Sequence, residues 1–527
     1  MEVHGRPDRA RVTLVGGSFV TAACALLVTV GADANWLAAL GRDVARSWSI
    51  PAGVPFAALP SDGWHNVPVL GELVFHWLQA GLGERGLLIA QLAAVVTCLS
   101  LLVADMRRAG AADAPAGLVL VLTALAATPS LVVVRSQLFS LALFPLLVLL
   151  LRSDARTPSR RIWCCVPLVA IWSNLHGGVL LGVLVAGAYL LFGRARRDPL
   201  AAAGVLAGML GGLLATPALL RTVDYYRGVV GSEAAVRGEG MWAPLTLSAP
   251  FDVLFLVASL PLLVVAWRSR PRAWEAVALL GLGLSAVHAS RNEVWFALFL
   301  APLAAKGLSG SRSWQPVLPR RLGVALTVGL AAVALFGFAR APARSGASSR
   351  LIAFAARAAG GTPILADGVN AEELALAGDR ILIGNPLDAF PKREQRLYLD
   401  WLAGRPGGDA EAARARVAVV SAGSQPERRL RASRNFRAAA RDGRAVVYVR
   451  VVPARVALAG GRSLRPSRRR RRGRSRRTSL SSLASGTRSA RLRRLGVAAR
   501  PQSFLVARYA LASSSATARD RQRAALV

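Results

Sequence analysis

Lysine, cysteine and histidine are all scarce in this chain of 527 residues. Only Lys306 and Lys392 are lysine, so arginine supplies nearly all of the 66 basic residues. The four cysteines lie inside apolar runs, where they behave as small hydrophobic residues, so we expect no disulfide. The five histidines show no ligand spacing such as HxxxH. We therefore predict no metal site and no cofactor. The alternative, a divalent metal held by His65, His76, His176 and His288, has no motif to support it.

Acidic residues are also few, with 29 against 66 basic ones, which gives a formal net charge of +37. About half of this excess lies in the Arg-rich segment that begins at Arg455, where Asp520 is the single acid. The remainder lies mainly beside apolar runs, so no nucleic-acid partner is expected. A Walker loop, a GxSxG motif and a Rossmann fingerprint in a fitting context are missing, which argues against the enzyme classes that depend on them.

Charge is absent from long stretches of the sequence. Charged residues make up 18% and hydrophobic residues 54%, and the mean hydropathy of +0.42 is too high for an ordinary soluble protein. Apolar runs of spanning or near-spanning length recur along the first part of the chain. They lie at residues 12–31, 86–104, 115–134, 137–151, 162–175, 177–193, 199–217, 251–267, 274–289, 293–305 and 322–339. The predicted fold class is an all-α polytopic membrane bundle of about 11 transmembrane helices.

The distribution of basic residues predicts the orientation. The run from Val12 is longer than a signal-peptide core, so we expect an uncleaved first span, although Ala32-Asp33-Ala34 resembles a signal-peptidase site. With the N-terminus inside, the inner connections hold more than twice as many Lys and Arg side chains as the outer ones. This pattern predicts a multi-pass protein of the plasma (inner) membrane, surrounded by membrane lipids, with a cytoplasmic N-terminus and its chemistry at the outer face.

Composition divides the chain into three parts. Residues 1–340 form the predicted transmembrane domain, and residues 32–85 form its long first outer loop. Residues 341–453 form a predicted small extracytoplasmic α/β domain, because helical stretches alternate there with short β-rich runs at 363–366, 380–383, 417–420 and 445–452. Residues 454–527 lack apolar periodicity, so we predict a disordered, Arg-rich tail.

Polar side chains interrupt the apolar runs at outer breaks, and six of them are the predicted substrate-binding residues: Arg135, Gln137, Asn174, His176, Arg291 and Asn292. Guanidinium groups match phosphate oxygens, so the two arginines could clamp a phosphate, or they could extend to lipid headgroups. The amide and the imidazole could face a substrate, or they could form a polar corner between helices. The pair Gly177-Gly178 would permit an abrupt turn beside them.

Three carboxylates are the candidate general bases. Asp43 follows the first span by about a dozen residues, where a partly desolvated carboxylate could accept a proton from an attacking hydroxyl. The alternative is a surface acid that pairs with Arg42 or Arg46. Glu72 and Glu239 are further candidates for the same role.

A set of outer segments carries a resemblance. The segments are Trp64-His65-Asn66 with Glu72, Arg135-Ser136-Gln137-Leu138-Phe139, Trp172-Ser173-Asn174-Leu175-His176-Gly177-Gly178, Trp242-Ala243-Pro244, Arg291-Asn292 and Asn385-Pro386-Leu387-Asp388-Ala389-Phe390-Pro391. With these segments the chain resembles a bacterial family of polytopic membrane proteins related to the GT-C-type glycosyltransferases. The resemblance implies a GT-C-like membrane domain and inverting transfer of a sugar from a polyprenyl-phosphate donor. It also implies an acid in the first outer loop, which Asp43 matches best.

The resulting functional hypothesis is a membrane glycosyltransferase that transfers a sugar from a lipid-linked donor to an extracytoplasmic acceptor in the cell envelope. Asp43 would accept the acceptor's proton, and Arg135 and Arg291 would stabilise the departing phosphate. Two alternatives remain. A transporter or lipid flippase would need polar groups along a path to both faces, and a non-catalytic envelope assembly protein would present the C-terminal domain.

Overall fold

The computed structural model describes residues 11–31, 33–310, 318–340, 343–344 and 346–451. Within these ranges the chain is mostly helical and has a small amount of β-sheet. The predicted tail, residues 454–527, lies outside the described residues.

Sixteen α-helices precede the C-terminal domain in the described ranges. They are α1 (Arg11–Leu27), α2 (Ala34–Ser47), α3 (Val69–Leu82), α4 (Glu84–Arg108), α5 (Asp113–Ala126), α6 (Thr128–Val132), α7 (Gln137–Arg156), α8 (Cys165–Ser173), α9 (Val179–Tyr189), α10 (Pro199–Leu213), α11 (Thr222–Val230), α12 (Glu233–Arg237), α13 (Pro250–Arg268), α14 (Ala273–His288), α15 (Glu293–Ser309) and α16 (Arg320–Ala339).

Each predicted apolar run coincides with one or two of these helices. Among the described residues, α4, α7, α13 and α16 are long and apolar enough to cross a membrane, judged by length and composition. Helices α1, α5, α9, α10 and α14 are apolar but shorter. The run 115–134 is divided, because α5 ends at Ala126 and a new short helix, α6, begins at Thr128 with Pro129 in its first turn. The structure is a helical membrane bundle, and the number of spans stays a prediction.

Helix α15 lies at the centre of the bundle. It is apolar over most of its length, and its side chains from Glu293 to Ala305 are buried. It packs against α13, α5, α14 and α4. By contrast, α16 packs mainly against α1 and leaves large apolar side chains such as Leu335 exposed, as expected for a helix at the lipid boundary.

A buried ion cluster joins three helices near the C-terminal ends of α4 and α7 and the N-terminal end of α14. Arg152 donates from Nη1 to Asp105 Oδ2 at 2.7 Å and from Nε to Glu275 Oε1 at 3.1 Å. Its Nη2 also donates to the backbone oxygen of Phe299 at 2.9 Å. The side chain of Arg152 is only 4% exposed, so these partners are needed to offset its desolvation.

Three two-residue strands join distant parts of the chain near the other ends of the helices. They are β1 (Thr29–Val30), β2 (Val133–Val134) and β3 (Ala343–Arg344), and β1 pairs in parallel with both of the others. The register places Val30 opposite Val134. The segments that follow β1 and β2 therefore leave the sheet side by side, and this sets the geometry of the site described below.

The C-terminal domain is a small α/β unit. Its helices are α17 (Ser349–Ala359), α18 (Gly368–Ala377), α19 (Lys392–Leu402), α20 (Asp409–Arg414) and α21 (Gln425–Ala432), and its strands are β4 (Leu365–Ala366), β5 (Val417–Ser421), β6 (Phe436–Arg441) and β7 (Ala445–Arg450). The strand order is β4-β5-β7-β6, with β4 parallel to β5 and the other pairs antiparallel.

The strands differ from the sequence expectation in two places. The run 380–383 forms no strand, and only Ile381 makes isolated bridges, to Ala57 and Ile364. Strand β6 was not expected, because its alanines carry little β propensity and their pattern does not alternate clearly. Strand β6 is extended because its backbone pairs with β7, a contact that the local sequence does not indicate.

Candidate active site

A cavity of about 1200 Å³ lies between the ends of the helices and the C-terminal domain. On the side of the helix bundle, its wall comes from the segments after β1 and β2, the turns α8–α9 and α14–α15, and the stretch between α10 and α13. On the other side, α18 and α19 of the C-terminal domain contribute to the wall. Chain segments that are far apart in sequence thus converge on one hollow.

An ion pair between Asp33 and Arg135 lies in the wall of this cavity. Oδ2 of Asp33 accepts from Nε of Arg135 at 2.8 Å and from Nη2 at 2.6 Å. The parallel register of β1 and β2 brings these residues together, because each follows its strand within a few positions. Burial alone would raise the pKa of Asp33, but the charge and hydrogen bonds of Arg135 lower it below the ordinary value. Asp33 is therefore ionised at neutral pH.

Arg291 presents a second guanidinium to the same cavity. It lies in the turn between α14 and α15, and its Cζ is 4.5 Å from the ring centroid of Trp242. Within the described part of the chain, no oxygen accepts a hydrogen bond from its guanidinium. Burial and the charge of Arg135 lower the pKa of Arg291. An anion bound at Arg291 would offset the desolvation of the guanidinium and its repulsion by Arg135, and it would accept hydrogen bonds from the guanidinium N–H groups.

A hydrogen-bond relay orients His176. Trp172 Nε1 donates to Ser140 Oγ at 2.6 Å, and that hydroxyl lies 2.7 Å from His176 Nδ1. The backbone N–H of Gly178 also donates to Nδ1, at 3.1 Å. Because Nδ1 accepts, the proton of the neutral ring is assigned to Nε2. Burial and the charges of Arg291 and Arg135 lower the pKa of His176 to about 3, so the ring is a neutral donor.

Gly178 supports this relay by its lack of a side chain. Its φ of −60° is helical, so the residue is not needed for an unusual turn, which the sequence pattern had suggested. A Cβ built there would lie 2.8 Å from His176 Nδ1 and 3.0 Å from Ser140 Oγ. Only glycine leaves room for the ring and the hydroxyl to meet.

The cavity also has an apolar wall. Leu180, Leu181 and Leu184 of α9 and Val230 at the end of α11 contribute to its lining. Leu184 is 68% exposed and Val230 is 60% exposed. An apolar strip of this kind next to two arginines suits a ligand that has an anionic head and a hydrocarbon chain.

The C-terminal domain supplies further polar groups. Glu372 of α18 accepts the backbone N–H of Asp33 through Oε1 at 3.0 Å, and Asn385 Nδ2 donates to the same oxygen at 2.9 Å. Trp64 Nε1 donates to Asp388 Oδ2 at 3.0 Å. Burial raises the pKa of Asp388, although that hydrogen bond opposes the rise. The domain is therefore part of the wall of the site.

Most of the predicted binding residues lie together in the cavity. The lining residues among those predicted from sequence are Arg135, Gln137, His176, Arg291, Asn292 and Glu239. Glu239 is tied to the C-terminal domain, because Arg405 Nη1 donates to its Oε1 at 2.7 Å. Its carboxylate is thus already in an ion pair.

Three predicted residues do not line this cavity. Asp43 lies ten positions beyond Asp33, about 15 Å along α2 at the helical rise, and it pairs with Arg42 at 3.2 Å beside a separate small pocket. Glu72 is buried and accepts from Asn66 Nδ2 at 2.7 Å. Asn174 donates to the backbone oxygens of Ala170 and Ala215, so its amide joins α8 to the end of α10.

Sequence reasoning named one acid of the wall, Glu239, and missed four others: Asp33, Asp252, Glu372 and Asp388. Asp33 was read only as part of a signal-peptidase-like triplet. Its position directly after the first apolar run was the available signal. Nothing in the sequence places α18 next to β1, so Glu372 could not have been assigned before the structure.

No group of three or more His, Cys, Asp or Glu side chains is arranged to hold a metal ion within the described ranges. Ion-paired and hydrogen-bonded side chains form the polar part of the cavity wall. The chemistry that these groups can perform by themselves is anion binding by the two guanidinium groups and proton transfer at the carboxylates.

No known protein family matches this chain, and no curated protein matches its sequence. Among solved structures, ArnT from Cupriavidus metallidurans bound to undecaprenyl phosphate is similar, with a TM-score of 0.46 and 15% identity over 85% of this chain and 98% of that chain. ArnT in the apo state gives 0.44 and 15% over 84% and 97%. Arabinofuranosyltransferase AftD from Mycobacteria gives 0.46 and 14% over 85% of this chain and 42% of that chain.

These likenesses are weak, at 14% to 15% identity and TM-scores of 0.44 to 0.46, and no function is transferred from them.

Proposed function

We propose that the protein is an integral membrane glycosyltransferase that transfers a sugar from a polyprenyl-phosphate donor to an acceptor hydroxyl. The observation that carries this proposal is the convergence of an ionised carboxylate, two guanidinium groups and a neutral imidazole on one cavity with an apolar wall. A lipid-linked sugar phosphate has the matching parts, namely an anionic head, a polar ring and a hydrocarbon chain.

The donor phosphate would bind at Arg291. This guanidinium keeps a planar set of donors beside Trp242, and no partner within the described residues occupies them. The Nε2–H of His176 is a second, uncharged donor for a phosphate oxygen. As the bond between the anomeric carbon and the phosphate oxygen breaks, its electron pair goes to the phosphate, and these donors stabilise the charge that develops.

Asp33 would serve as the proton acceptor. The acceptor hydroxyl oxygen forms the new bond to the anomeric carbon, and its proton passes to the carboxylate of Asp33. Arg135 holds that carboxylate in place and ionised, at the cost of lower basicity. The hydroxyl becomes acidic as the new bond forms, so a base of modest strength suffices late in the step. Attack from the side opposite the phosphate inverts the anomeric centre.

We further propose that the cavity and the C-terminal domain face the extracytoplasmic side of the plasma membrane and that the N-terminus is cytoplasmic. The support is the excess of Lys and Arg in the connections at the far ends of the helices. The acceptor would then be a component of the cell envelope. Cysteine-accessibility labelling at Arg160 and at Arg237, in single-cysteine variants, would check this: labelling of position 160 from outside would contradict it.

The test of function compares Asp33, at the start of α2, with Asp43, which lies on the same helix. Purified protein in lipid nanodiscs is supplied with polyprenyl-phosphate sugars, and release of polyprenyl phosphate is measured together with the glycosylated product. Asp33→Asn is expected to lower the rate by about 100-fold or more, because the proton acceptor is lost. Asp43→Asn is the matched control and should leave the rate within about 2-fold, because Asp43 lies outside the cavity.

Two results would overturn the proposal. Equal rates for Asp33→Asn and the wild type would remove Asp33 from the mechanism. Movement of the intact labelled lipid across a bilayer, with no sugar released by the wild type, would identify a flippase instead.

A further inference from the structure

Glu372 is a buried carboxyl group that the proposed reaction does not use. It lies on α18 in the C-terminal domain, is 2% exposed and still contributes to the cavity wall. Its Oε1 accepts two hydrogen bonds, from the backbone N–H of Asp33 and from Asn385 Nδ2. Its Oε2 is buried and has no partner among the described residues.

The backbone that Glu372 holds is an unusual one. Asp33 has φ 82° and ψ −27°, a left-handed conformation that residues with a side chain rarely adopt. This conformation ends the segment after β1 and begins α2, so it determines where the carboxylate of Asp33 points. A contact that fixes the N–H of Asp33 therefore also fixes its ion pair with Arg135.

The contacts of Glu372 favour a neutral carboxyl. An ionised group would leave a charged oxygen buried without a donor, next to the carboxylate of Asp33. The cation that faces it, Arg135, already donates twice to Asp33. The neighbouring Glu373 is occupied by Asn35, whose Nδ2 donates to it at 3.2 Å. Burial and the charge of Asp33 raise the pKa of Glu372 to about 8.

We propose that Glu372 is a positioning residue, whose neutral carboxyl acts with Asn385 to clamp the backbone of Asp33 and so couples docking of the C-terminal domain to the arrangement of the Asp33–Arg135 pair. This inference rests on the proposed role of Asp33 as proton acceptor. Ionisation of Glu372 places two carboxylates side by side, which weakens the clamp and shifts Asp33. Activity therefore depends on the protonation of a residue that does not touch the substrate.

The first experiment is a pH profile of sugar transfer. Glu372→Gln keeps an oxygen acceptor for both donors and cannot ionise, so it is expected to retain activity within about 3-fold at neutral pH. Glu372→Ala removes the clamp and should lower the rate by about 10-fold or more, since small displacements of reacting groups are costly. Between about pH 7 and about pH 9 the wild-type rate should fall while that of Glu372→Gln stays level.

Glu411→Gln is the matched control. Glu411 is also a buried carboxyl of the C-terminal domain, and burial raises its pKa to about 7, but it lies on α20 and does not line the cavity. Its variant should keep the wild-type decline at alkaline pH. The same decline in Glu372→Gln as in the wild type, or full activity of Glu372→Ala, would overturn the proposal.

The second experiment does not depend on activity. The folded state favours the protonated form of Glu372, so its contribution to stability is present below the unfolded pKa and is lost as pH rises through about 8. The midpoint of thermal unfolding of Glu372→Gln should therefore rise relative to the wild type between about pH 4.5 and about pH 8 and level off above that. A difference in midpoint that does not change with pH would contradict the proposal that Glu372 is neutral in the folded protein. If this shift appears but the wild type transfers no sugar, the proposed function fails while the clamp stands.

Discussion

Replacement of Gly178 by alanine tests whether the relay to His176 matters for the chemistry. The new Cβ would lie 2.8 Å from His176 Nδ1 and 3.0 Å from Ser140 Oγ, so the ring or the hydroxyl must move. The change disrupts two hydrogen bonds to Nδ1, worth about 1 kcal/mol each, and adds overpacking of about 1–3 kcal/mol. If these losses raise the activation free energy of sugar transfer by about 2–3 kcal/mol, the rate falls roughly 30- to 150-fold.

The neighbouring glycine provides the control. At Gly177 an added Cβ meets only the ring of Tyr226, at 3.6 Å, which is an ordinary contact. Sugar transfer would be measured for both alanine variants in nanodiscs, with thermal unfolding to establish that both are folded. We expect Gly177→Ala to stay within about 3-fold of the wild type. Equal rates for the two variants, with both folded, would refute the steric reasoning and the role of His176.

Three further variants test other parts of the structure. Arg291→Lys keeps the charge but loses the planar guanidinium beside Trp242, so binding of polyprenyl phosphate to nanodisc-embedded protein should weaken about 10-fold. Arg291→Ala also loses the charge, and binding should weaken about 100-fold. Arg152→Met removes the guanidinium that bridges buried Asp105 and Glu275 and leaves Asp105 only the more distant Arg156, at 4.0 Å. Chemical denaturation should therefore show a loss of about 3 kcal/mol, with normal activity per folded molecule. Because the folded state favours neutral His176, the thermal midpoint of the wild type should fall more steeply between about pH 6.5 and about pH 5 than that of His176→Gln.

The arginines and the imidazole of the site could be predicted from sequence. Arg135, His176 and Arg291 interrupt apolar runs, where a polar group is costly, and that cost made them visible. Which of the polar residues at these breaks face the cavity could not be predicted in the same way. Asn174 has an equally conspicuous position, yet its amide is consumed by backbone oxygens. Whether a polar group faces a cavity or a neighbouring helix depends on the rotation of that helix, which hydropathy does not specify.

The acids illustrate the opposite case. Asp33 and Asp43 both follow the first span, and composition gives no reason to prefer either. The left-handed turn at Asp33 and its pairing with Arg135 decide between them, and both arise from the register of two short strands more than 100 residues apart in sequence. Glu372 enters the site from a different domain altogether.

The sequence alone thus predicts helical character and apolar runs of membrane-compatible length, because the transfer of apolar residues out of water is nearly additive along the chain. Which carboxylate meets which arginine is decided only by the packed structure. Such contacts depend on distances of a few ångströms between segments brought together by tertiary folding, and no local pattern of residues encodes them.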